Sequence, residues 1–183
     1  MKNILIVDGH QSYEGAKGKL NRTLTEHMVN QLKADNRVQT TFVQEGYNIE
    51  QEQHKYLWAD VVIYQTPVYW FSVPGLMKTY MDEVFAYGIF FEGSERYGEG
   101  GLLKGKKYFF STTWNAPQEA FEDRSQFFGG ITPDEALVHL HRTHIYCGME
   151  TLPGYACYDV ISNPQVDRFL DGLTGHLKNV LSL

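Results

Sequence analysis

Asp60-Val61-Val62-Ile63-Tyr64-Gln65-Thr66-Pro67-Val68-Tyr69-Trp70-Phe71-Ser72-Val73-Pro74-Gly75 joins a short, β-branched, almost wholly apolar run to three consecutive aromatic residues and then to a helix start. An unbroken apolar run of this length is the pattern of a parallel strand covered by helices on both faces. Ligands of open parallel sheets lie beyond the carboxyl ends of such strands, which is where Tyr69, Trp70 and Phe71 stand. Aromatic rings are normally withdrawn into a core, so three of them at a loop edge suggest a platform for a flat, stacking partner. The competing reading is a loop that folds its rings back onto the sheet or into a dimer interface.

Outward from that stretch the chain alternates strand and helix. Residues 4–7, 38–43, 61–65, 108–112 and 155–161 read as strands. After the first, the small residues Gly9, Ser12, Gly15, Ala16 and Gly18 feed a helix whose apolar positions Leu24, Met28 and Leu32 recur every four residues. A short helix over 49–58 precedes the third strand. Ser72 as N-cap and Pro74 in the first turn open the next helix, with Leu76, Met77, Tyr80, Met81, Val84 and Phe85 as its apolar face. Residues 88–105 form a glycine-rich excursion too long for a simple connector. Thr132-Pro133-Asp134-Glu135 announces a further helix that should stop at Gly148, and Asn163-Pro164 starts the last one. About five alternations with no repeat and no linker predict one α/β domain over residues 1–183, a doubly wound parallel five-stranded sheet with helices on both faces. The flavodoxin-like order 2-1-3-4-5 is the natural choice, although periodicity alone leaves other doubly wound orders open.

Composition narrows the partners. A length of 183 residues suits one well-buried domain, and an aromatic content of 14% favours a ring-lined pocket or a large interface. The net charge of −6 comes with scattered acids and no basic stripe, which argues against nucleic acid. The N-terminal apolar run Ile4-Leu5-Ile6-Val7 is too short for a signal peptide, and no run approaches membrane-spanning length. Cys147 and Cys157 make neither a disulfide framework nor a metal spacing. A cytoplasmic protein with reduced thiols is expected.

In the order 2-1-3-4-5 the loops after strands one, three and four converge at one cleft. The first loop is no Walker motif, because Gly18-Lys19 is followed by Leu20, and its glycines lack the dinucleotide spacing. It remains a loop of small and hydroxyl residues feeding a helix N-terminus, where free N–H groups hold a diphosphate and Lys17, Lys19 and Arg22 supply countercharge. An ordinary solvated loop is the alternative. Thr113-Trp114-Asn115-Ala116 offers donors that suit a ring that becomes electron-rich, and if the ligand is a flavin they can face its N1/O2 edge; the alternative is a turn with Trp114 in the core. His139, His141 and His144 have no cysteine or carboxylate at a zinc-type spacing, so no metal site is expected and they read as surface or interface histidines. No serine stands in Gly-x-Ser-x-Gly, so a hydrolase triad has no support.

Nearly end to end the chain resembles the modulator of drug activity B group of NADPH:quinone oxidoreductases, within the flavodoxin-like NAD(P)H dehydrogenase (quinone) family. The likeness is densest in Asn3-Ile4-Leu5-Ile6, Leu20-Asn21 with Thr23-Leu24-Thr25-Glu26, Leu57-Trp58-Ala59-Asp60-Val61-Val62-Ile63, Tyr97-Gly98 with Gly100-Gly101-Leu102, and Gly148-Met149-Glu150. Its most specific motif is Thr113-Trp114-Asn115-Ala116-Pro117 with Glu119-Ala120-Phe121. The resemblance implies noncovalent FAD (FMN less so), NADPH as hydride donor, a homodimer, and two-electron ping-pong reduction of quinones. It carries an FAD loop onto Ala16, Lys17, Gly18, Lys19, Leu20, Asn21, Arg22 and Thr23, ring stacking onto Val68, Tyr69, Trp70 and Phe71, a tyrosine contact onto Tyr97, and a strand-four loop onto Thr113, Trp114, Asn115 and Ala116. Departures from the group are Ala16 where a serine can stand, Val68-Tyr69-Trp70 where relatives have Gly-Trp-Trp, and a shorter excursion before Tyr97. No side chain is nominated as acid or base. The rival implied function is a flavin-binding regulatory subunit of a membrane potassium-efflux system; a simple flavodoxin-type electron carrier fits less well.

Overall fold

Ile4, Leu5, Ile6 and Val7 are all fully buried, and so are Val62, Ile63 and Tyr64, because the sheet they form is covered on both sides. The computed structural model describes residues 1–181. In chain order its elements are β1 (Asn3–Asp8), α1 (Lys19–Leu32), β2 (Arg37–Phe42), α2 (Ile49–Trp58), β3 (Val61–Pro67), α3 (Gly75–Val84), β4 (Lys107–Thr113), α4 (Glu119–Glu122), α5 (Pro133–Ala136), α6 (Val138–Tyr146), β5 (Glu150–Thr151), β6 (Tyr155–Cys157) and α7 (Val166–Leu181). The strands run in parallel in the order β2-β1-β3-β4, with β5 and then β6 sharing the edge of β4. This is the expected 2-1-3-4-5 winding.

The fifth position corrects the sequence reading. Two short strands occupy it, so among the described residues the sheet has six strands, and the second ends at Cys157 rather than at 161. The physical cause lies in Leu152-Pro153-Gly154: Pro153 has no N–H for the ladder, and the Gly154 N–H donates to Asp134 Oδ2 at 2.9 Å instead. Beyond Cys157 the chain turns back over the strand-four loop, the N–H of Asp159 donating to the Ala116 carbonyl and that of Val160 to the Trp114 carbonyl, both at 3.1 Å.

The period-2 alternation of the strands sorts the core into two layers. Leu5, Val7, Val62, Tyr64, Tyr108 and Phe110 face α2, α3 and α6. Ile4, Ile6, Val61, Ile63 and Phe109 face α1 and α7, whose Leu24, Met28, Leu32, Leu173 and Leu177 meet them. Among the described residues no helix is long and apolar enough to cross a membrane. Cys147 and Cys157 are free and buried, and burial pushes their thiols up to about 11 and about 12.

Two local readings change. Ser72 does not cap α3, which starts at Gly75 after Pro74; its backbone closes a turn with Tyr69 instead. Thr132 does cap α5 in a reciprocal capping box with Glu135, and α6 stops at Tyr146, just before Gly148 at φ 87°. His141 and His144 are core residues rather than surface ones. Tyr108 stacks on His144 with ring centroids 4.4 Å apart, and its hydroxyl lies 2.9 Å from His141 Nδ1. Ring stacking and the Tyr108 hydroxyl accommodate imidazoles that the sequence pattern placed outside.

Candidate cofactor site

The chain leaves β1 through Asp8-Gly9-His10, and each residue is tied down. Asp8 Oδ1 accepts the His10 backbone N–H at 3.0 Å and Oδ2 accepts the Thr25 hydroxyl at 2.9 Å. Burial raises the Asp8 carboxyl above its ordinary value despite those bonds. The Gly9 N–H donates to the Gln65 carbonyl at 2.9 Å, which joins the loop to β3. Helix α1 opens at Gly18, in the left-handed region at φ 70°, with no side-chain cap and no acid in its first turn. Its first N–H groups therefore face a cavity of about 240 Å³ lined by His10, Ser12, Lys17, Gly18, Lys19 and Arg22, with Asp8 and Glu45 at its wall. His10 Nε2 is buried there without a hydrogen-bond partner. A helix terminus, three cationic side chains and an unpaired imidazole nitrogen together suit a phosphate or diphosphate. Arg22 is only partly free for that role, since it pairs with Glu45 and lies 3.7 Å above the Phe42 ring.

The second cavity, about 490 Å³, lies beyond β3 and β4. One wall is the turn of residues 69–72, closed by Tyr69 N–H to the Ser72 carbonyl (2.8 Å) and Ser72 N–H to the Tyr69 carbonyl (3.2 Å). Trp70 and Phe71 both sit in the left-handed region, at φ 48° and 64°, a conformation that large non-glycine residues adopt at a cost and keep only where their surroundings enforce it. The Tyr69 hydroxyl donates to the Gln11 carbonyl at 3.2 Å, and Phe71 stacks on Phe127 at 5.5 Å. Trp70 is 93% exposed, an indole face free for a partner. The opposite wall is Asn115, Ala116 and Pro117, with Trp114 and Phe128 behind. An apolar slot between ring-bearing walls, with a polar edge, fits a flat heteroaromatic ring, and the first cavity fits its phosphates.

A family model described as flavodoxin-like fold matches residues 2–178. The chain belongs to this flavodoxin-like family. It is 39% identical to the NADPH:quinone oxidoreductase MdaB of Haemophilus influenzae over 97% of this chain and 98% of that protein. It is 30% identical to the glutathione-regulated potassium-efflux system ancillary protein KefF of an Enterobacter species, over 73% of each chain. A crystal structure of an NADPH-quinone reductase from P. pentosaceus superposes with a TM-score of 0.73 at 23% identity, covering 98% of this chain and 99% of that one.

Within this flavodoxin-like frame the singled-out residues separate into groups. Lys17, Gly18, Lys19 and Arg22 line the first cavity, and Val68, Trp70, Phe71, Trp114, Asn115 and Ala116 line the second. Ala16 sits in a turn bonded to Tyr13, Leu20 packs against the α1/α7 layer, and the Thr23 hydroxyl donates to the Lys19 carbonyl. Trp114 is buried; its backbone N–H donates to the Cys157 carbonyl and its indole N–H to Thr112 Oγ1, each at 2.8 Å. Among the described residues, no backbone carbonyl takes the N–H of Asn115 or Ala116, so the donors left at the cleft edge are those two. Tyr97 is 96% exposed and lines a separate groove of about 740 Å³ between α3 and α6, against Tyr146. Sequence reasoning placed none of His10, Phe127 and Phe128 in the site, although Gln126-Phe127-Phe128 is part of the family resemblance. The position of His10 two residues past the end of β1 was the available signal for it; the phenylalanines arrive through tertiary packing.

Asn21 joins the two halves of the site. It is buried, its Oδ1 accepts from Gln65 Nε2 at 2.8 Å and its Nδ2 donates to Thr113 Oγ1 at 3.2 Å. Asn21→Ala leaves two buried polar groups of β3 and β4 unpaired, at an expected cost of about 1–3 kcal/mol. A urea-unfolding midpoint equal to that of the wild type would refute this role.

Proposed function

We infer that this chain is a flavin-dependent NAD(P)H:quinone oxidoreductase that passes two electrons to a quinone in a ping-pong reaction. The observation that carries the reading is the pairing of an uncapped, cation-flanked helix N-terminus with an aromatic slot at the switch point of the sheet. The 39% identity to a NADPH:quinone oxidoreductase over nearly the whole chain supports the substrate class, and the match to the potassium-efflux ancillary protein is shorter and weaker. The flavin, FAD in preference to FMN, supplies the hydride exchange when bound.

The protein's part is binding, orientation and exclusion of water. The first turn of α1, His10, Lys17 and Lys19 hold the phosphates. Val68, Trp70 and Phe71, which line the slot, with Tyr69 holding their turn, would flank the ring, and orientation of a flat substrate against it is what they would contribute. The N–H groups of Asn115 and Ala116 stabilise negative charge at the ring's polar edge. Partial burial, then the neighbouring Tyr13, raises the Tyr69 hydroxyl above its ordinary value, so it stays protonated beside the slot. A homodimer belongs to the same reading: Tyr97 lines a groove other than its own chain's ring slot, and a second copy would present it to the cofactor. The site of action is the cytoplasm.

An anaerobic visible spectrum of the flavin-loaded protein tests the function. NADPH is expected to bleach the flavin bands at once, and benzoquinone to restore them. A flavin that NADPH leaves oxidised would overturn the reductase reading in favour of a regulatory one. Chromatography of the released cofactor distinguishes FAD from FMN.

A further inference from the structure

The turn of residues 69–72 carries two adjacent large residues in the left-handed region, and such a conformation persists only where neighbouring contacts over-determine it. Three clamps reach it from three parts of the chain. Gln11 takes the Tyr69 hydroxyl on its carbonyl, and its side-chain oxygen accepts the Leu76 N–H at 3.0 Å, which fixes both ends of the segment. Phe127 and Phe128 hold the Phe71 ring. The third clamp is polar and spans 67 residues: Ser72 Oγ lies 3.0 Å from His139 Nε2 on α6. Ser72 is also the residue whose backbone makes both closing bonds of the turn with Tyr69.

From this geometry we propose that His139 is a positioning residue for the ring-stacking turn, acting through the Ser72 hydroxyl to keep Trp70 presented to the cofactor slot. Trp70, almost fully exposed, has no clamp of its own, so its placement is inherited from the turn. The bond survives a change of histidine tautomer, since a neutral ring nitrogen accepts the serine O–H or donates to the serine oxygen. His139 is exposed on α6, so removing its ring opens no core cavity. It also lines the groove between α3 and α6, which puts any occupant of that groove one hydrogen bond from the stacking turn. The consequence for binding rests on the flavin reading above; the clamp itself does not.

Two measurements on the full-length chain separate those levels: amide hydrogen exchange at Tyr69 and Ser72 without flavin, and titration with FAD and with FMN. His139→Ala and Ser72→Ala are each expected to speed exchange at the turn and to weaken flavin binding about fivefold, the size of one partly exposed hydrogen bond. The double variant should be no worse than either single one, because both remove the same bond. His139→Gln keeps an amide at comparable reach and should restore both properties. Wild-type exchange at both amides in His139→Ala, or additive losses in the double variant, would overturn the proposal. If the wild-type protein binds neither flavin, the cofactor reading fails while the exchange rates still decide the clamp.

Discussion

Replacing Gly18 with alanine is expected to weaken flavin binding by about 100-fold or more and to lower stability as well. A Cβ on Gly18 would lie 2.1 Å from His10 Cε1 and 2.3 Å from both ring nitrogens. To make room the His10 ring must swing into the cavity it lines, which is the space assigned to the phosphates. The residue also sits at φ 70°, where any L side chain costs about 1–2 kcal/mol, and overpacking adds about 1–3 kcal/mol. If about 3 kcal/mol of this total falls on the geometry of the phosphate loop, affinity drops by two factors of ten at about 1.4 kcal/mol each. Gly105→Ala is the matching control. It carries the same kind of backbone strain at φ 81° but has open space around its Cβ and lies beside Lys2 and Asp60, before β4, where it lines neither cavity of the site, so it should lose about 1–2 kcal/mol of stability and keep its flavin affinity. Equal flavin affinities in Gly18→Ala and wild-type protein, measured by fluorescence titration, would remove the phosphate role from this loop.

How much of this was legible in the sequence follows from which forces act locally. β1 and β3 were readable because strands buried on both faces must be apolar throughout, and the four-residue spacing of Leu24, Met28 and Leu32 needed only the helix period. The split of the fifth strand was not, because it depends on a carboxylate 20 residues away, Asp134, capturing the Gly154 N–H. Ser72 shows a similar limit: a serine with a proline two residues on reads as a helix cap and first turn, yet a tertiary contact with His139 and the turn to Tyr69 claim it. The three loops of the cleft were placed by topology alone. Around them, whether a polar side chain faces a ligand or a neighbour is decided by contacts that no spacing encodes, which is why Asn21, in the first turn of α1 among ligand-type residues, turns out to link β3 and β4. Tyr97 was legible as a motif residue but not as one that lines a groove other than its own chain's slot, since the 88–105 excursion is held by tertiary contacts, among them Tyr97 against Tyr146 and the Leu103 N–H on the Cys147 carbonyl.

His144 alone should lower stability by about 3 kcal/mol as the pH drops from 6.5 to 4. Its ring is fully buried among Tyr64, Phe85, Tyr108 and Phe110. Nδ1 lies 2.8 Å from the Leu140 carbonyl, which that nitrogen's N–H serves as donor, and Nε2 has no partner. Burial lowers its pKa from 6.5 to about 4, the Leu140 carbonyl opposes that shift, and His141 adds to it. Below pH 6.5 the unfolded chain therefore binds a proton that the folded chain refuses, and each pH unit costs about 1.4 kcal/mol until native His144 also protonates. Burial lowers His139 and His176 in the same direction, which adds to the slope. Asp8 acts with the opposite sign: its raised carboxyl takes up a proton in the folded chain first, which returns some stability as the medium becomes more acidic. His144→Phe keeps an aromatic ring in the same cage and has nothing to protonate. Its urea-unfolding midpoint, followed from pH 7.5 down to 4, should fall much less steeply than that of the wild type. Parallel profiles for the two proteins would mean that the acid sensitivity arises elsewhere and that the His144 site admits a proton and its water in the folded state.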